Sequence, residues 1–288
     1  MIVVALTGGV GNQLFQYAVA RALALRRGVA VGLDTRWYRG RRGRNYALDR
    51  FAIRTEPVDR GLLPARDGKI LGRLLAGRGG RLKVHRETGL AFDPAVADLP
   101  DGSYLRGVFQ SERYFADHEA TIRRDLAFAD PPDAANRALL AEIGEGLSVS
   151  LHVRRGDYVA NPKIASVHGT LPLDYYARAV ELIASGASGD PRLYVFSDDP
   201  AWAAENLDLG LVTRIVDHNG NRATEDLRLM AACRHHILAN SSFSWWGAWL
   251  NPSADKIVVA PRPWFRDPAL DDSTIVPERW VRLAADGL

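Results

Sequence analysis

Apolar stretches of strand length alternate with helical patterns through the second half of the chain. Runs rich in β-branched residues predict strands at 147–153, 192–197, 212–216, 236–239 and 256–260. Between them, apolar residues recur every three or four positions, which predicts helices at 173–184, 200–206, 224–233 and 243–250. This alternation is typical of parallel βαβ units, and near-continuous apolar strands indicate a sheet that is covered on both faces.

The first half begins in the same way and then becomes less regular. The pattern predicts a strand at 2–6, a helix from about 13 to 27, a strand at 29–34, a strand at 104–109 and a linking helix at 134–143. We therefore predict an α/β fold of two domains, 1–140 and 141–288, with a cleft between them. Ligands of such sheets bind at the carboxyl ends of the strands.

Composition narrows the class of protein. The chain has 288 residues, 47% of them hydrophobic, yet no apolar run reaches the roughly 18 residues that a spanning helix needs. The start MIVVALTGG has no basic residue before its apolar run, which favours a first strand over a signal peptide. Cys233 is the single cysteine, so an internal disulfide is excluded and a cytoplasmic location is expected.

Charge is distributed unevenly along the chain. Residues 1–100 hold 18 Lys and Arg against 8 Asp and Glu, whereas residues 101–288 hold 19 against 26. The densest basic cluster comprises Arg36, Arg39, Arg41, Arg42 and Arg44. It is either an ordinary solvated surface or a contact for phosphate, nucleic acid or an anionic membrane. We expect no nucleic acid, since that function leaves the arginines of 152–158 unused, and we predict peripheral contact with the inner membrane face.

The segment 8–12, Gly-Gly-Val-Gly-Asn, joins the first strand to the first helix. Glycine lets the backbone approach a ligand closely, and the N–H groups at a helix start attract an anion such as phosphate. Gly9, Gly11 and Asn12 are therefore candidate ligand contacts. The segment also half-matches a dinucleotide-binding fingerprint, with Asp34 as a ribose-binding acid. A tight turn without a ligand is the remaining alternative.

The segment HVRRGDY at 152–158 ends a buried strand. Arg154 and Arg155 at a strand's carboxyl end are costly unless they meet anions, and a guanidinium matches phosphate in shape and charge. Arg154, Arg155 and Asp157 are candidate catalytic residues, since one arginine can reach the ligand while the other pairs with an acid. A structural ion pair between either arginine and Asp157 is the alternative.

Acidic side chains follow two further strands. Asp198 and Asp199 precede a predicted helix, where one acid can cap the helix and the other, Asp198, can contact the ligand. Asp226 falls in the first turn of the helix that Thr224 is predicted to cap, where it either complements the helix dipole or binds ligand. We predict no metal site, because this Asp-Asp-Pro order favours capping and the adjacent His235 and His236 have diverging side chains.

Small polar residues follow the strand at 236–239. Ser241 and Ser242, together with the N–H groups of the helix after them, form a candidate phosphate nest. Trp245 and Trp249 are spaced by four residues and are predicted to lie in the core.

Together these segments resemble the α-1,2-fucosyltransferases, the inverting enzymes of glycosyltransferase family 11. The matching stretches are GGVGNQLFQYAVARALALRRG (8–28), VFQSERYF (108–115), HVRRGDY (152–158), LPLDYYARAVELI (171–183), VFSDDPAW (195–202) and EDLRLMAACRHHILANSSFSWWGAWLNP (225–252). Residues 36–100 carry little of this pattern, and acceptor choice is expected to depend on them.

The resemblance implies a GT-B architecture of two Rossmann-like domains, with the acceptor side in 1–140 and the donor mainly in 141–288. It implies transfer of L-fucose from GDP-β-L-fucose to a galactose or similar sugar hydroxyl, with no metal or other cofactor. The acceptor is a glycan, for which a lipid-linked form is one option.

The resemblance also suggests individual roles. Arg154 and Arg155 resemble diphosphate-binding arginines, whereas His152 and Asp226 resemble residues at the guanine or its ribose. Ser241 and Ser242 resemble nest serines, and 9–12 resembles a loop that closes on the pyrophosphate. The general base is open among Asp157, His168 and Asp34, and the same fold with another GDP-sugar remains an alternative, as does an NAD-dependent oxidoreductase.

Overall fold

The chain divides into two compact units, Met1–Ala129 and Asp130–Leu288. The computed structural model describes residues 1–40, 45–64, 82–187 and 189–288. The division precedes the predicted linking helix, because Leu139 and Ile143 of that helix pack in a core cluster of the second unit. The helix therefore belongs to the second unit.

The first unit contains a four-stranded parallel sheet in the order β2-β1-β4-β3. Its strands are β1 (Ile2–Ala5), β2 (Val31–Asp34), β3 (Lys83–Arg86) and β4 (Ser103–Arg106), and its described α-helices are α1 (Val10–Arg27) and α2 (Glu119–Asp125). Helix α1 begins one turn earlier than predicted, because the glycine segment forms its first turn. It ends at Gly28, whose φ of 65° is the left-handed conformation that glycine adopts without strain.

The second unit contains a six-stranded parallel sheet in the order β10-β9-β8-β5-β6-β7. Its strands are β5 (Ser148–Val153), β6 (Arg192–Ser197), β7 (Thr213–Val216), β8 (His235–Ile237), β9 (Val258–Arg262) and β10 (Val281–Ala284). Its described helices are α3 (Ala134–Gly144), α4 (Gly156–Ala160), α5 (Pro162–His168), α6 (Leu173–Gly186), α7 (Pro200–Asn206), α8 (Ala223–Ala232) and α9 (Ser242–Leu250).

Strand β5 lies inside this sheet, and all six of its residues are buried. One face packs with α6 through Tyr175 and Tyr176, and the other side of the sheet packs with α3 and α8. The predicted covering of both faces is thus confirmed. Trp245 and Trp249 are likewise core residues, at 0% and 1% exposure.

The sequence pattern missed β3 and β10 and the short helices α4 and α5. It also extended the fourth strand too far, to residue 109. The strand ends at Arg106 because the Glu87 carboxylate accepts hydrogen bonds from the N–H groups of Val108 and Phe109, at 2.6 and 2.9 Å. Phe109 then has a φ of 51°, which redirects the chain. Among the described helices, none has the length and apolar character to cross a membrane.

Candidate functional site

The predicted site residues of the second unit follow four neighbouring strands. His152, Arg154, Arg155 and Asp157 lie at the end of β5, Asp198 follows β6, Asp226 follows β7, and Ser241 and Ser242 follow β8. Because the strands are parallel, all of these positions lie along one edge of the sheet.

Arg154 lies between two carboxylates in this structure. Its NH1 nitrogen is 2.7 Å from Asp198 Oδ2, and its NH2 nitrogen donates to Asp157 Oδ1. The guanidinium also lies over the ring of Tyr158, 5.4 Å from the centroid. Since a guanidinium has five N–H donors, these two ion pairs leave further donors for a bound anion. The ion-pair alternative for Arg154 and Asp157 is therefore present, and it orients the guanidinium without using all of its donors.

Asp198 organises the turn that carries both arginines. Its Oδ1 accepts the backbone N–H of Arg155 at 2.8 Å, while its other oxygen meets Arg154. A β-carbon at Gly156 would lie 2.4 Å from Asp198 Oδ2, so any other residue there would displace this carboxylate. Asp198 thus shapes the site through Arg154 and the turn at 155–156.

Arg155 has a different environment from Arg154. Its guanidinium stacks on the Trp202 ring at 3.8 Å and its Nε is 3.4 Å from Asp199 Oδ2. The other Asp199 oxygen caps α7 by accepting from the Trp202 N–H at 3.2 Å. Asp199 therefore caps α7, which confirms the prediction that one acid of the pair is a helix cap. Arg155 links the end of β5 to α7 through its contacts with Trp202 and Asp199.

His152 and the serine segment meet beside this cluster. The ring centroids of His152 and Phe243 are 5.4 Å apart. Burial lowers the pKa of His152 to about 3, and the positive charge of Arg154 contributes, so the imidazole is neutral. Ser241 is the N-cap of α9 and accepts from the Phe243 N–H at 3.3 Å, which leaves its O–H hydrogen to donate to an anion. Ser242 is the first residue of α9.

Among the described residues, seven buried side-chain polar atoms have no hydrogen-bond partner, and three of them belong to this group of residues: His152 Nδ1, His168 Nδ1 and Asn240 Oδ1. The His168 ring stacks on Tyr158 at 4.6 Å, Tyr158 donates to the Asn240 carbonyl at 3.1 Å, and Asn240 donates to the His168 carbonyl at 2.7 Å. Because unpaired buried polar atoms are uncommon in folded proteins, these three are candidate ligand contacts.

His168 is the candidate base that this arrangement favours. Burial lowers the pKa of His168, and the positive charge of Arg154 lowers it further, while the negative charge of Asp157 opposes the change. The ring is therefore neutral near pH 7 and able to accept a proton. The Asp157 carboxylate is already engaged in an ion pair with Arg154.

Asp226 lies in the first turn of α8 and has no ion-pair partner among the described residues. The helix begins at Ala223, one residue before Thr224, so the predicted Thr224 cap is wrong. Asp226 Oδ1 accepts from Asn219 Nδ2 at 2.8 Å. Burial raises its pKa to about 6, although this hydrogen bond and the charge of Arg222 oppose the rise. A buried carboxylate with a raised pKa is a candidate ligand contact.

In the first unit, the glycine segment is held by neutral groups. Gly9 is the N-cap of α1, whereas Gly11 is buried in the first helical turn. Asn12 Oδ1 accepts from Gln110 Nε2 at 3.0 Å. The first turn of α1 contains no acidic residue, so its positive dipole end is not neutralised by a carboxylate there. An anion contact at this segment stays a prediction.

Asp34 is unsuited to the roles considered for it. Its carboxylate receives Arg36 at 2.7 Å and the Tyr104 hydroxyl at 2.6 Å. Burial raises its pKa, but these hydrogen bonds outweigh burial and hold the pKa below its usual range. It is thus a poor base and is not free for a ribose.

The basic cluster proposed for membrane contact is only partly described. Arg36 is engaged with Asp34, Arg39 is exposed, and Arg41, Arg42 and Arg44 lie outside the described residues. Membrane contact therefore stays a prediction. Arg36 is less available for it, because its charge is paired with Asp34. No group of three or more His, Cys, Asp or Glu side chains within the described ranges could hold a metal ion.

Sequence reasoning missed several residues that complete the site. Tyr158, Asn240 and Asn219 all lie just after strands or in the turns that follow them, and Asn136 lies in the first turn of α3. Their strand-end positions were a usable signal for Tyr158, Asn240 and Asn219, but nothing in the sequence pairs Asn136 with Asn219, 83 positions away.

Comparisons with known proteins identify the family of this chain. A model of glycosyl transferase family 11 matches residues 95–284. The alpha-1,2-colitosyltransferase of Escherichia coli is 31% identical, over 98% of this chain and 99% of that protein. Human galactoside alpha-(1,2)-fucosyltransferase 1 is 26% identical, over 97% of this chain and 74% of that protein.

Two solved structures share the fold. The fucosyltransferase NodZ from Bradyrhizobium has a TM-score of 0.50 at 15% identity, over 87% of this chain and 93% of that chain. POFUT1 in complex with GDP-fucose has a TM-score of 0.51 at 12% identity, over 86% of this chain and 93% of that chain. With the two parallel-sheet units, these matches confirm the predicted α/β fold of GT-B type. The chain belongs to glycosyl transferase family 11.

Proposed function

We propose that this glycosyltransferase moves L-fucose from GDP-β-L-fucose to a galactose hydroxyl of a glycan, with inversion and formation of an α-1,2 linkage. The observation that carries the proposal is Arg154, placed at the carboxyl end of the buried strand β5 in a chain of this family. POFUT1, which shares the fold, is described with GDP-fucose bound, and relatives include α-1,2-fucosyltransferases.

The proposed chemistry uses positive charge fixed by the fold. Departure of GDP builds negative charge on the β-phosphate, and preoriented donors stabilise that charge most in the transition state. Arg154 supplies the remaining N–H donors of a guanidinium that Asp157 and Asp198 hold in place. Ser241, Ser242 and the start of α9 supply neutral donors beside it. With these groups, the reaction is proposed to need no metal.

Base recognition is proposed to use Asp226. A carboxylate can accept from guanine N1–H and the exocyclic amino group together, a pair that adenine and uracil do not offer. The acceptor hydroxyl would be deprotonated by a neutral side chain near Arg154, and His168 fits that role best. The proposed acceptor is a glycan, with a lipid-linked form as one option.

A second donor is favoured by one observation. The E. coli relative that matches nearly the whole chain is named for colitose transfer, and colitose is fucose without its 3-hydroxyl. A site that hydrogen-bonds this hydroxyl rejects the deoxy sugar strongly, whereas a site without such a contact discriminates weakly. The donor sugar therefore depends on one polar contact.

A donor panel tests the proposal. Purified protein is incubated with a β-galactoside and GDP-fucose, GDP-colitose or GDP-mannose in turn, and the product is analysed by NMR. We expect kcat/KM to be highest with GDP-fucose and the product to be an α-1,2 glycoside. A higher kcat/KM with GDP-colitose would make colitose, and not fucose, the transferred sugar. Transfer from none of the three donors would refute the proposal.

A further inference from the structure

A network of buried amides lies behind Asp226. Asn136 and Asn219 form a reciprocal pair, in which Asn136 Nδ2 donates to Asn219 Oδ1 at 2.8 Å and Asn219 Nδ2 donates to Asn136 Oδ1 at 3.1 Å. The two side chains are 0% and 4% exposed. Asn219 Nδ2 also donates to Asp226 Oδ1. Two buried amides thus fix the position of one carboxylate oxygen.

The network is anchored at its far end. Asn136 donates to Asp133 Oδ1 at 3.0 Å, and Asp133 caps α3. His218 Nε2 is 3.0 Å from Asn136 Oδ1, and Arg222 pairs with Asp133. Since both amides of the pair are buried and hydrogen-bonded on each side, neither can rotate without losing partners. The orientation of Asp226 is therefore set by groups from α3 and from the turn before α8.

We propose that Asn219 is a positioning residue for the nucleotide base: it holds Asp226 Oδ1 and directs the rest of that carboxylate to the guanine of the donor. Asn219 does not itself touch the donor in this proposal. The inference rests on the proposed use of a GDP-sugar. It differs from a purely structural role because the hydrogen bond to Asp226 stabilises the ionised carboxylate, the form that accepts from guanine.

Several charged groups around Asp226 influence the ionisation of its carboxylate. Arg222 precedes α8 and favours the ionised carboxylate, whereas Glu225 on the same helix disfavours it. From the other side, Asp133 is paired with Arg222, and His218 reaches Asp226 only through the two asparagines. His218 contacts this network through Asn136, so it needs its own variant.

The test is the pH dependence of GDP affinity, measured by calorimetry from pH 5 to pH 8. In wild-type protein, affinity should fall about tenfold per pH unit once Asp226 becomes protonated. In Asn219→Ala, the lost hydrogen bond should move the midpoint upward by about half a unit to one unit. Asn219→Asp, which keeps the shape but adds a second carboxylate, should move it further upward. Phosphate ionisation of GDP is common to all variants and cancels in the comparison.

Two controls separate positioning from folding. Asn251 is also 4% exposed, and its amide donates to the Cys233 carbonyl at 2.6 Å, at the opposite end of α8 from Asp226. Asn251→Ala should lower thermal stability and leave the midpoint unchanged, and His218→Gln should also leave it unchanged. Midpoints that coincide in wild type and both Asn219 variants would overturn the inference, as would a shift caused by His218→Gln. Absence of GDP binding to the wild-type protein would overturn the proposed function as well.

Discussion

The two units differ in the groups around the turn that follows the first strand of each sheet. In the first unit, the glycine segment is surrounded by amides and backbone groups, such as Gln13, Gln16 and Asn12. In the second unit, the turn after β5 carries paired charges, with Arg154 between Asp157 and Asp198. Neutral hydrogen bonds fix the shape of the backbone, whereas charges held in place can stabilise the charge that develops during a reaction. We infer that the second unit performs the chemistry and that the first supplies shape and an uncharged helix start.

The net positive charge of the first hundred residues does not change this comparison. Where the structure describes the first unit's arginines, several are engaged in ion pairs, as in Arg21 with Asp125, Arg26 with Asp117 and Arg36 with Asp34. Overall charge therefore says little about where anions bind, because a paired arginine attracts an anion less than a free one.

The largest expected effect is on Arg154. Arg154→Ala should lower kcat by about two to three orders of magnitude, the loss seen when one transition-state donor is removed. Donor affinity should change less, because the contact strengthens as charge moves to the β-phosphate. Arg154→Lys should recover part of the rate, since lysine lacks the planar fork. Steady-state and single-turnover kinetics measure both effects.

Arg155→Ala is the matched control for Arg154. It removes the same charge one residue away, but Arg155 stacks on Trp202 and pairs with Asp199. We expect lower thermal stability and a smaller loss of rate per folded molecule. If Arg154→Ala turns over near the wild-type rate, another residue stabilises the diphosphate and the proposed mechanism is wrong.

The next effect concerns Asp226. Asp226→Asn should weaken GDP binding by about 1–3 kcal/mol, because one guanine donor then faces an amide N–H₂ or is left unpaired. The substitution keeps an oxygen that can accept from Asn219, so the fold should be retained. Calorimetry with GDP and ADP measures the change. Equal GDP affinity in a folded Asp226→Asn protein would exclude Asp226 from base recognition.

A buried amide of the first unit should behave in the opposite way. Gln16 is 0% exposed, accepts from the Thr7 N–H at 3.0 Å and donates to the Gly107 carbonyl at 2.9 Å. Gln16→Leu leaves two backbone groups without these partners and should lower the free energy of unfolding by about 1–3 kcal/mol. Denaturant unfolding measures it. GDP affinity of the folded variant should be unchanged, and a large loss of affinity would break the division of roles between the units.

The buried Asp226 carboxylate should also lower the stability of the wild-type protein at neutral pH. Burial raises the pKa of Asp226, so the folded state binds more protons than the unfolded state between the unfolded pKa and about 6. Stability from this residue is present below that range and is lost as pH rises through it. Asp226→Asn should therefore stabilise the protein more at pH 7.5 than at pH 4.5, by about 1–2 kcal/mol. Melting temperatures of both proteins at the two pH values measure this difference. A wild-type protein that melts higher than Asp226→Asn at pH 7.5 would contradict the prediction.

The smallest expected effect is that of a chelator. If Arg154, Ser241 and the start of α9 supply the positive charge, activity should persist in excess EDTA. Initial rates before and after chelation measure it. Full loss of activity that Mn²⁺ or Mg²⁺ restores would require a metal and would contradict the proposed mechanism.

Much of the second unit could be predicted because local signals there agree with one another. The predicted bounds of β6 and α7 match the structure, since apolar strands and an Asp-Pro helix start leave few alternatives. In the first unit, β3 has an exposed pattern and was missed. The end of β4 depends on Glu87, which lies 21 residues before Val108 and whose role no local pattern indicates.

The sequence alone determined the α/β class, the family and the strand ends that carry the candidate site, because periodicity and short motifs are local properties of the chain. Only the tertiary structure decided how the charges pair. The sequence left Arg154 open between Asp157 and a ligand, and the fold added Asp198 from the next strand. It likewise removed Asp34 as a base and brought Asn136 and Asn219 together behind Asp226. Pairing depends on distances between residues far apart in the chain, and packing of the strands and helices sets those distances.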